Sequence, residues 1–437
     1  MNELLQETDS IKISESVEQK RELNELFTCE AAEPTLLNVP VEIFLKICSF
    51  LDADFIGTTL RKVCRRFESI LADTELWKYW LLRRVGGIFP ALPHLDTWAS
   101  DHVWEQVCTH LDREHHKWTQ AAHHLTHIAV SDVHLASVDA VLLLQGGQLC
   151  VSGGRDRELL LWRLSSLKAH RHDDGEGCQR ARPEAVRADA HAGWVWDLAP
   201  DPLRPALYSG SFDKTVKAWD LEGFRHKQTF HCSLAVVSLA TADNLLFAGL
   251  YSKKVLVFDV RAGPEPVQQY CAHTGPVLAL QACAGWVASA GKDRTVALYD
   301  STAGKLLPEA IRLASGRAYP SSMSWGPAGL YVGDSRGALH LLDPARPRPG
   351  PAMRVFPESS PAHKVTALQQ SPGQVLACSD RGEIRFLFVS DPPREYASVK
   401  SDYCDLTSMQ YQNGVLAVGN CHSSLEFWIP SKDVSAV

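Results

Sequence analysis

The chain has 437 residues, 45% of them hydrophobic and 22% charged, with a formal net charge of −7, which suits two or three globular domains or one large repeat array. Its longest apolar runs, 138–144 and the charge-broken 39–51, fall short of a membrane helix, and no basic stripe marks a nucleic-acid surface. The start MNELLQETDS lacks a secretory pattern, so a chain working in the cytoplasm and/or nucleus is expected, with its twelve scattered cysteines reduced and no CxxC pair to hold a metal.

Residues 1–33 hold nine acidic and three basic side chains; rich in Glu, Ser and Gln, they read as an acidic disordered tail. Residues 34–82 place apolar side chains at helical spacing. Pro40 suits a first helical turn, and Ile43, Ile47, Phe50 and Leu51 share one face. Asp52-Ala53-Asp54 breaks that helix. Ile56, Leu60, Val63 and Phe67 then predict a second, and Asp73 a cap for a third through Leu76, Trp77, Trp80 and Leu81. So small a unit buries little surface by itself, and a partner could complete its core. The segment resembles the F-box family in Pro40 and Glu42, in Ile47 and Phe50-Leu51, in Val63-Cys64-Arg65 and in Leu76-Trp77; it departs at Val39, where Leu is usual, and at Phe67, where Trp is frequent. The resemblance implies docking on the small Skp-type adaptor of cullin ubiquitin ligases, with Pro40, Ile43, Ile47, Leu51, Leu60 and Val63 as adaptor-binding residues. On the plainer reading these side chains pack the helices against one another, and several must do both.

Residues 83–120 read as a helical linker, with Val103, Trp104, Val107, Leu111 and Trp118 forming an apolar stripe; such a helix fixes distance better than a Gly/Ser tether. His110, His115, His116, His123, His124 and His127 cluster in sequence but lack a Cys or acidic ligand at zinc spacing, so a solvated face is expected and no metal. From 121 to 437 one pattern recurs seven times, clearest in SGGRDRELLLWRL (152–164), SGSFDKTVKAWDL (209–221) and SAGKDRTVALYDS (289–301). The position held by Trp219 recurs at Trp162, Phe258, Tyr299, Leu342, Leu387 and Trp428, at intervals of 57, 39, 41, 43, 45 and 41. The long first interval contains a polar stretch, 165–188, expected to be a disordered loop. Each copy reads as a hairpin with another apolar strand upstream, and four strands per ~40 residues is a propeller blade. Only nine residues follow Trp428, so the strand-like 123–130 is expected to complete the last blade and remove its exposed edge.

This region resembles the WD-repeat family, in which His, Ser or Thr, Asp and Trp form a hydrogen-bonded set within a blade. His134, Ser152, Asp156 and Trp162 match it, as do His191, Ser209, Asp213 and Trp219; His273, Ser289, Asp293 and Tyr299 differ by one aromatic. A hydrolase needs such groups beside an oxyanion site open to substrate, whereas sets repeating in one frame are a building device, so no catalytic residue and no cofactor is expected. The predicted fold is mainly β: a seven-bladed WD-type β-propeller preceded by a small all-α F-box domain and a helical linker. That order resembles the F-box/WD-repeat proteins, which implies a non-catalytic substrate receptor of a Skp–cullin–F-box ligase; a non-ligase scaffold is the alternative. The family's propellers capture a protein substrate, often through a phosphorylated segment. Position predicts a substrate-binding mouth of Arg155, Trp194, Trp196, Phe212, Tyr251, Lys292, Tyr319, Lys364 and Arg381, where aromatic and arginine side chains suit hot-spot contacts and too few cations argue for phosphate reading.

Overall fold

The computed structural model describes residues 36–85, 103–167, 182–313, 316–326, 329–343, 346–349, 353–356, 363–390 and 392–431; the acidic leader and most of the polar stretch 165–188 lie outside them. The chain divides into two compact units, 1–68 and 69–437, a division inside the 34–82 span read as one domain from sequence. No helix among the described residues is long and apolar enough to cross a membrane.

In the first unit, α1 (Val41–Cys48) starts directly after Pro40, whose carbonyl accepts from the amides of Ile43 and Phe44 at 3.1 and 3.0 Å. The single second helix expected from the 56/60/63/67 spacing is broken into α2 (Ala53–Thr58), a 3₁₀ turn at Leu60–Lys62 and α3 (Arg65–Leu71). Gly57-Thr58-Thr59 are poor helix formers, and the Thr58 hydroxyl donates back to the Asp54 carbonyl at 2.6 Å. Phe44, Cys48, Ala53, Ile56, Leu60 and Phe67 are buried, with Phe44 and Phe67 stacked at 4.3 Å. The Arg66 guanidinium donates to the carbonyls of Leu37 and Val39, tying the entry segment down.

The unit boundary falls within α3, and the first helix wholly inside the second unit is α4 (Thr74–Val85), capped by Asp73, which accepts from the Glu75 amide at 2.9 Å. It packs on α5 (Val103–Thr119), where Arg84 pairs with Asp112 at 2.7 Å and the Cys108 thiol meets the Trp77 carbonyl at 3.5 Å. The other side of α5 is seated on the propeller. Trp118 stacks on Phe386 at 4.1 Å, and Leu111 lies over Gly373, where a Cβ would come within 2.6 Å of it. Buried Glu114 accepts from Lys117 (2.5 Å), the Trp118 indole (2.9 Å), Gln374 (3.3 Å) and the Tyr411 hydroxyl. Helix α5 is thus a packed part of the propeller unit, held by both apolar and charge-assisted contacts.

Seven antiparallel sheets form the blades. The last contains Leu406–Gln412, Val415–Asn420 and Leu425–Pro430, and β1 (Leu125–Val130) joins it as the outer strand, in register from Leu125 opposite Pro430 to Val130 opposite Leu425. The last blade is completed by strands from both ends of the repeat region, and β1 covers the edge that Leu425–Pro430 would otherwise expose. In the first blade Ala185–Arg187 pairs with Leu159–Leu161, which corrects the expectation that the whole of 165–188 is a disordered loop: its final residues are the outer strand.

Two of the matched four-residue sets form as expected. His134 contacts Asp156 at 2.7 Å and Ser152 at 2.8 Å, with the Trp162 indole donating to Ser152 at 3.1 Å; in the next blade the same contacts of His191, Asp213, Ser209 and Trp219 are 2.9, 2.7 and 2.8 Å. His273 meets Asp293 at 3.2 Å and Ser289 at 3.0 Å, but the Tyr299 hydroxyl donates to Gln268 instead, at 2.7 Å. Other blades brace differently: His340 pairs with buried Asp334 at 3.0 Å, and buried Glu426 accepts from Ser401, from the Asp402 amide at 3.2 Å and contacts His127 at 3.0 Å.

Candidate functional site

Two surfaces stand out from what folding requires. On the first unit, packing consumes Phe44 and Cys48 on one side of α1 and leaves the opposite side unburied: Ile43 is 53% exposed and Ile47 is also exposed, joined beyond the helix by Phe50 (76%) and Val63 (59%). Pro40 is exposed, Leu51 half-buried, and Leu60 is taken up by the unit's own core. Leu36, Leu37, Val41 and Phe55 add exposed apolar surface that the sequence reading did not single out; helical periodicity does not distinguish a face turned inward from one left outside.

The second surface is the mouth of the propeller's central channel, a cavity of about 720 Å³. Each innermost strand carries a β-bulge one residue after its start, between Val138/Ala140, Val195/Asp197, Val236/Ser238, Val277/Ala279, Pro320/Ser322, Val365/Ala367 and Leu406/Ser408. A bulge re-aims a side chain, and the seven skipped residues, Asp139, Trp196, Val237, Leu278, Ser321, Thr366 and Thr407, all line the channel. A second ring is fixed where the first residue of each hairpin turn donates its amide to the residue ahead of the inner strand: Arg155 to Ser137, Phe212 to Trp194, Tyr251 to Ala235, Lys292 to Pro276, Ser335 to Tyr319, Asp380 to Lys364 and Cys421 to Asp405, at 2.8–3.2 Å.

Eight of the nine residues assigned to the mouth from sequence occupy these rings. Arg381 does not. In its blade Asp380 holds the ring position, accepting from the Lys364 amide at 3.0 Å, while Arg381 stands one place further along the turn, where Asp156, Asp213 and Asp293 stand in their blades. Four of the five aromatic members form one cluster, which Tyr319 does not join: Trp194 and Phe212 lie 5.6 Å apart, Trp194 and Trp196 6.3 Å, and Phe212 and Tyr251 5.9 Å. Arg155 is spoken for, its guanidinium donating to both Asp139 oxygens at 2.9 and 3.4 Å while lying 5.1 Å over the Trp194 ring. Burial draws the Lys364 ammonium pKa below its usual value, opposed by nearby Asp380. The sequence reading missed Leu135 and Leu234, exposed on the loops leading into the inner strands, and the carboxylates of Asp139, Asp380 and Asp405; the repeat frame, once aligned on the bulge, would have located them.

The His-Ser-Asp sets offer no reaction site. Ser152, Ser209 and Ser289 are at most 1% exposed, and the first two accept an indole N–H. His110 contacts Ser371, His115 lies against Tyr396, and His124 contacts Gln120, so the histidine-rich stretch does not converge. Among the described residues, one group, His127 with Asp402 and Glu426, brings three ligand-type atoms within 4.8 Å of one another; its hydrogen bonds and the stacking of His127 on Trp428 at 4.5 Å make it a clasp on the closing strand.

The F-box-like family model matches residues 36–83, and the WD domain, G-beta repeat model matches 185–220 and 264–300. Human F-box/WD repeat-containing protein 9 is 32% identical over 404 residues, spanning 91% of this chain and 83% of that protein. The chain belongs to the F-box/WD-repeat family. The Bos taurus F-box/WD repeat-containing protein 9 is likewise 32% identical, over 410 residues with the same coverage, and F-box/WD repeat-containing protein mec-15 of Caenorhabditis elegans is 26% identical over 323 residues, 71% of this chain and 76% of that one. The solved structures of U3-55K and of the RRP9 WD40 repeats superpose with TM-scores of 0.60 and 0.61, each covering 70% of this chain and 98% of the other at 16% identity, a likeness of fold alone. As an F-box/WD protein the chain is of the substrate-adaptor type, joining an adaptor-binding motif to a propeller for protein partners.

Proposed function

We propose that this F-box/WD-repeat protein is the substrate-recognition subunit of a Skp–cullin–F-box ubiquitin ligase, working in the cytoplasm, the nucleus or both. Its F-box binds the Skp-type adaptor, which brings the cullin, and its propeller mouth holds the protein to be modified. The observation that carries this reading is the unburied apolar face of Ile43, Ile47, Phe50 and Val63 on a unit too small to turn such surface inward. Pro40 and Leu51 border the contact, and Leu60 supports it from the core. No bond is made by the chain itself; it raises the concentration of substrate lysines near the ubiquitin-loaded enzyme.

The test is co-purification with the adaptor and cullin. The wild-type chain retains both, and Ile43→Asp with Val63→Asp, two exposed positions, abolishes retention while the propeller melts unchanged. Failure of the wild-type chain to retain the adaptor refutes the F-box reading. Proteins that accumulate when the gene is deleted, and whose ubiquitination returns with wild type but not with the double variant, separate a ligase receptor from a scaffold.

A further inference from the structure

The mouth is divided in composition. In the second, third and fourth blades the ring positions carry Trp194, Trp196, Phe212, Val237, Tyr251 and Leu278, with Lys292 the one charged member. Trp194, Phe212 and Tyr251 are 42%, 41% and 54% exposed, and Leu234 beside them 43%. An exposed run of touching aromatics is costly to leave in water, and nothing in the blade requires it, since the blade cores lie elsewhere around Trp219, Phe230 and Phe258. The remaining blades carry the other charges, and these largely cancel. Arg155 is paired with Asp139, and Lys364 sits beside Asp380. Asp405 adds a further exposed carboxylate.

A phosphate dianion needs several guanidinium or ammonium groups converging without competitors. Here it would have to displace Asp139 from Arg155 and would meet the carboxylates of Asp380 and Asp405. An uncharged bulky side chain faces no such opposition.

We propose that the mouth reads an unphosphorylated segment of its protein partner through a bulky apolar or aromatic anchor seated on Trp194, Phe212 and Tyr251, with phosphate near the anchor opposing binding. The inference rests on the reading of the propeller mouth as the substrate site. Charge complementarity selects this occupant: a neutral anchor against an aromatic wall with Lys292 its single charge, the one arginine of the ring being stacked on the indoles and neutralised.

The experiment uses the full chain purified with its adaptor and probed with an array of random peptides in matched unphosphorylated and phosphoserine forms. Bound peptides should share Trp, Phe, Leu or Met at one position, bind equally at low and high salt, and weaken when an adjoining serine is phosphorylated. Trp194→Ala with Phe212→Ala should weaken them about tenfold or more. Both side chains lie outside the blade cores, so the variant should keep a single cooperative melting transition and its hold on the adaptor, which separates lost contact from lost fold. Preference for the phosphorylated forms, absence of a shared apolar position, no binding to either form, or unchanged binding by the folded double variant each overturns the proposal. Retention of the adaptor is scored in the same preparation: its loss refutes the ligase assignment and leaves the peptide result to stand or fall by itself.

Discussion

Removing one hydroxyl should cost different amounts in two blades that look alike in sequence. Ser209 Oγ serves two neighbours, donating to His191 Nε2 at 2.7 Å and accepting from Trp219 Nε1 at 2.8 Å. Ser209→Ala leaves both without a partner in a site with no solvent access. Each orphaned buried polar atom costs about 1–3 kcal/mol, so the loss of two should be about 2–6 kcal/mol, with no cavity larger than the missing oxygen. Ser289 occupies the same frame, 3.0 Å from His273 Nε2, but Tyr299 takes its hydrogen bond to Gln268. Ser289→Ala orphans one atom and should cost about 1–3 kcal/mol. Ser152→Ala repeats the Ser209 situation, because Trp162 donates to Ser152 at 3.1 Å. The assay is urea unfolding of the full chain with the midpoints compared at constant slope. The expected order is Ser209→Ala and Ser152→Ala below Ser289→Ala below wild type. Equal losses for all three would show that the aromatic N–H contributes nothing and would sink the account of these sets as mutual satisfaction.

Asp197 lies just past the bulge of the second blade, accepting from the amides of Leu198 (2.8 Å) and Leu239 (2.6 Å). Burial pushes its carboxyl up to about 7, the two amides only partly opposing it. Its folded pKa therefore lies above the unfolded value of about 3.9, the folded state holds the proton more tightly, and stability falls as pH rises from about 4 to 7. Asp197→Asn should flatten that decline, by at most about 4 kcal/mol; melting curves across this range test it, and an unchanged slope counts against the assignment. Glu114 is held charged, since Lys117 and its hydrogen bonds outweigh the upward effect of burial. Glu114→Ala strands Lys117, Trp118 and Tyr411 and should loosen α5 by about 3–5 kcal/mol. Hydrogen exchange should quicken across Val103–Thr119 and not in the second blade; uniform quickening would mean that the whole unit was destabilised.

Legibility varied with what each residue does for folding. The blades were readable because a buried hydroxyl, imidazole and carboxylate must be satisfied together, and that demand fixes residue type in three of them and an identical spacing from the imidazole in two. The fifth and seventh lack the set although their strands were found, because the same demand is met from other positions, by Asp334 with His340 and by Glu426 with Ser401 and His127. The closing strand was readable from counting strands. The break between α2 and α3 was not, because both pieces bury residues into one core and the apolar period runs on across the 3₁₀ turn. The inward side of α1 was hidden for a related reason: Phe44 and Cys48 are as apolar as Ile43 and Ile47, and hydrophobicity alone does not assign them to core or partner.

The mouth raises a different difficulty. The bulge at the start of every inner strand determines where seven side chains point, yet places no demand on what they are: Asp139, Trp196, Val237, Leu278, Ser321, Thr366 and Thr407 share one geometry and almost no chemistry. Sequence can therefore locate such positions through the repeat frame, while their meaning depends on neighbours in adjacent blades. Arg155 illustrates this. As a letter in the repeat it is a cation at a binding rim, the residue expected of a phosphate reader. In the folded ring it is anchored by Asp139 sixteen residues earlier and stacked on Trp194 of the next blade, so that what the rim offers there is a neutral, rigid aromatic surface. Binding chemistry at a propeller mouth is set by such pairings between blades, and a receptor can exchange a charged specificity for an apolar one by changing a bulge residue while leaving the bracing of each blade untouched.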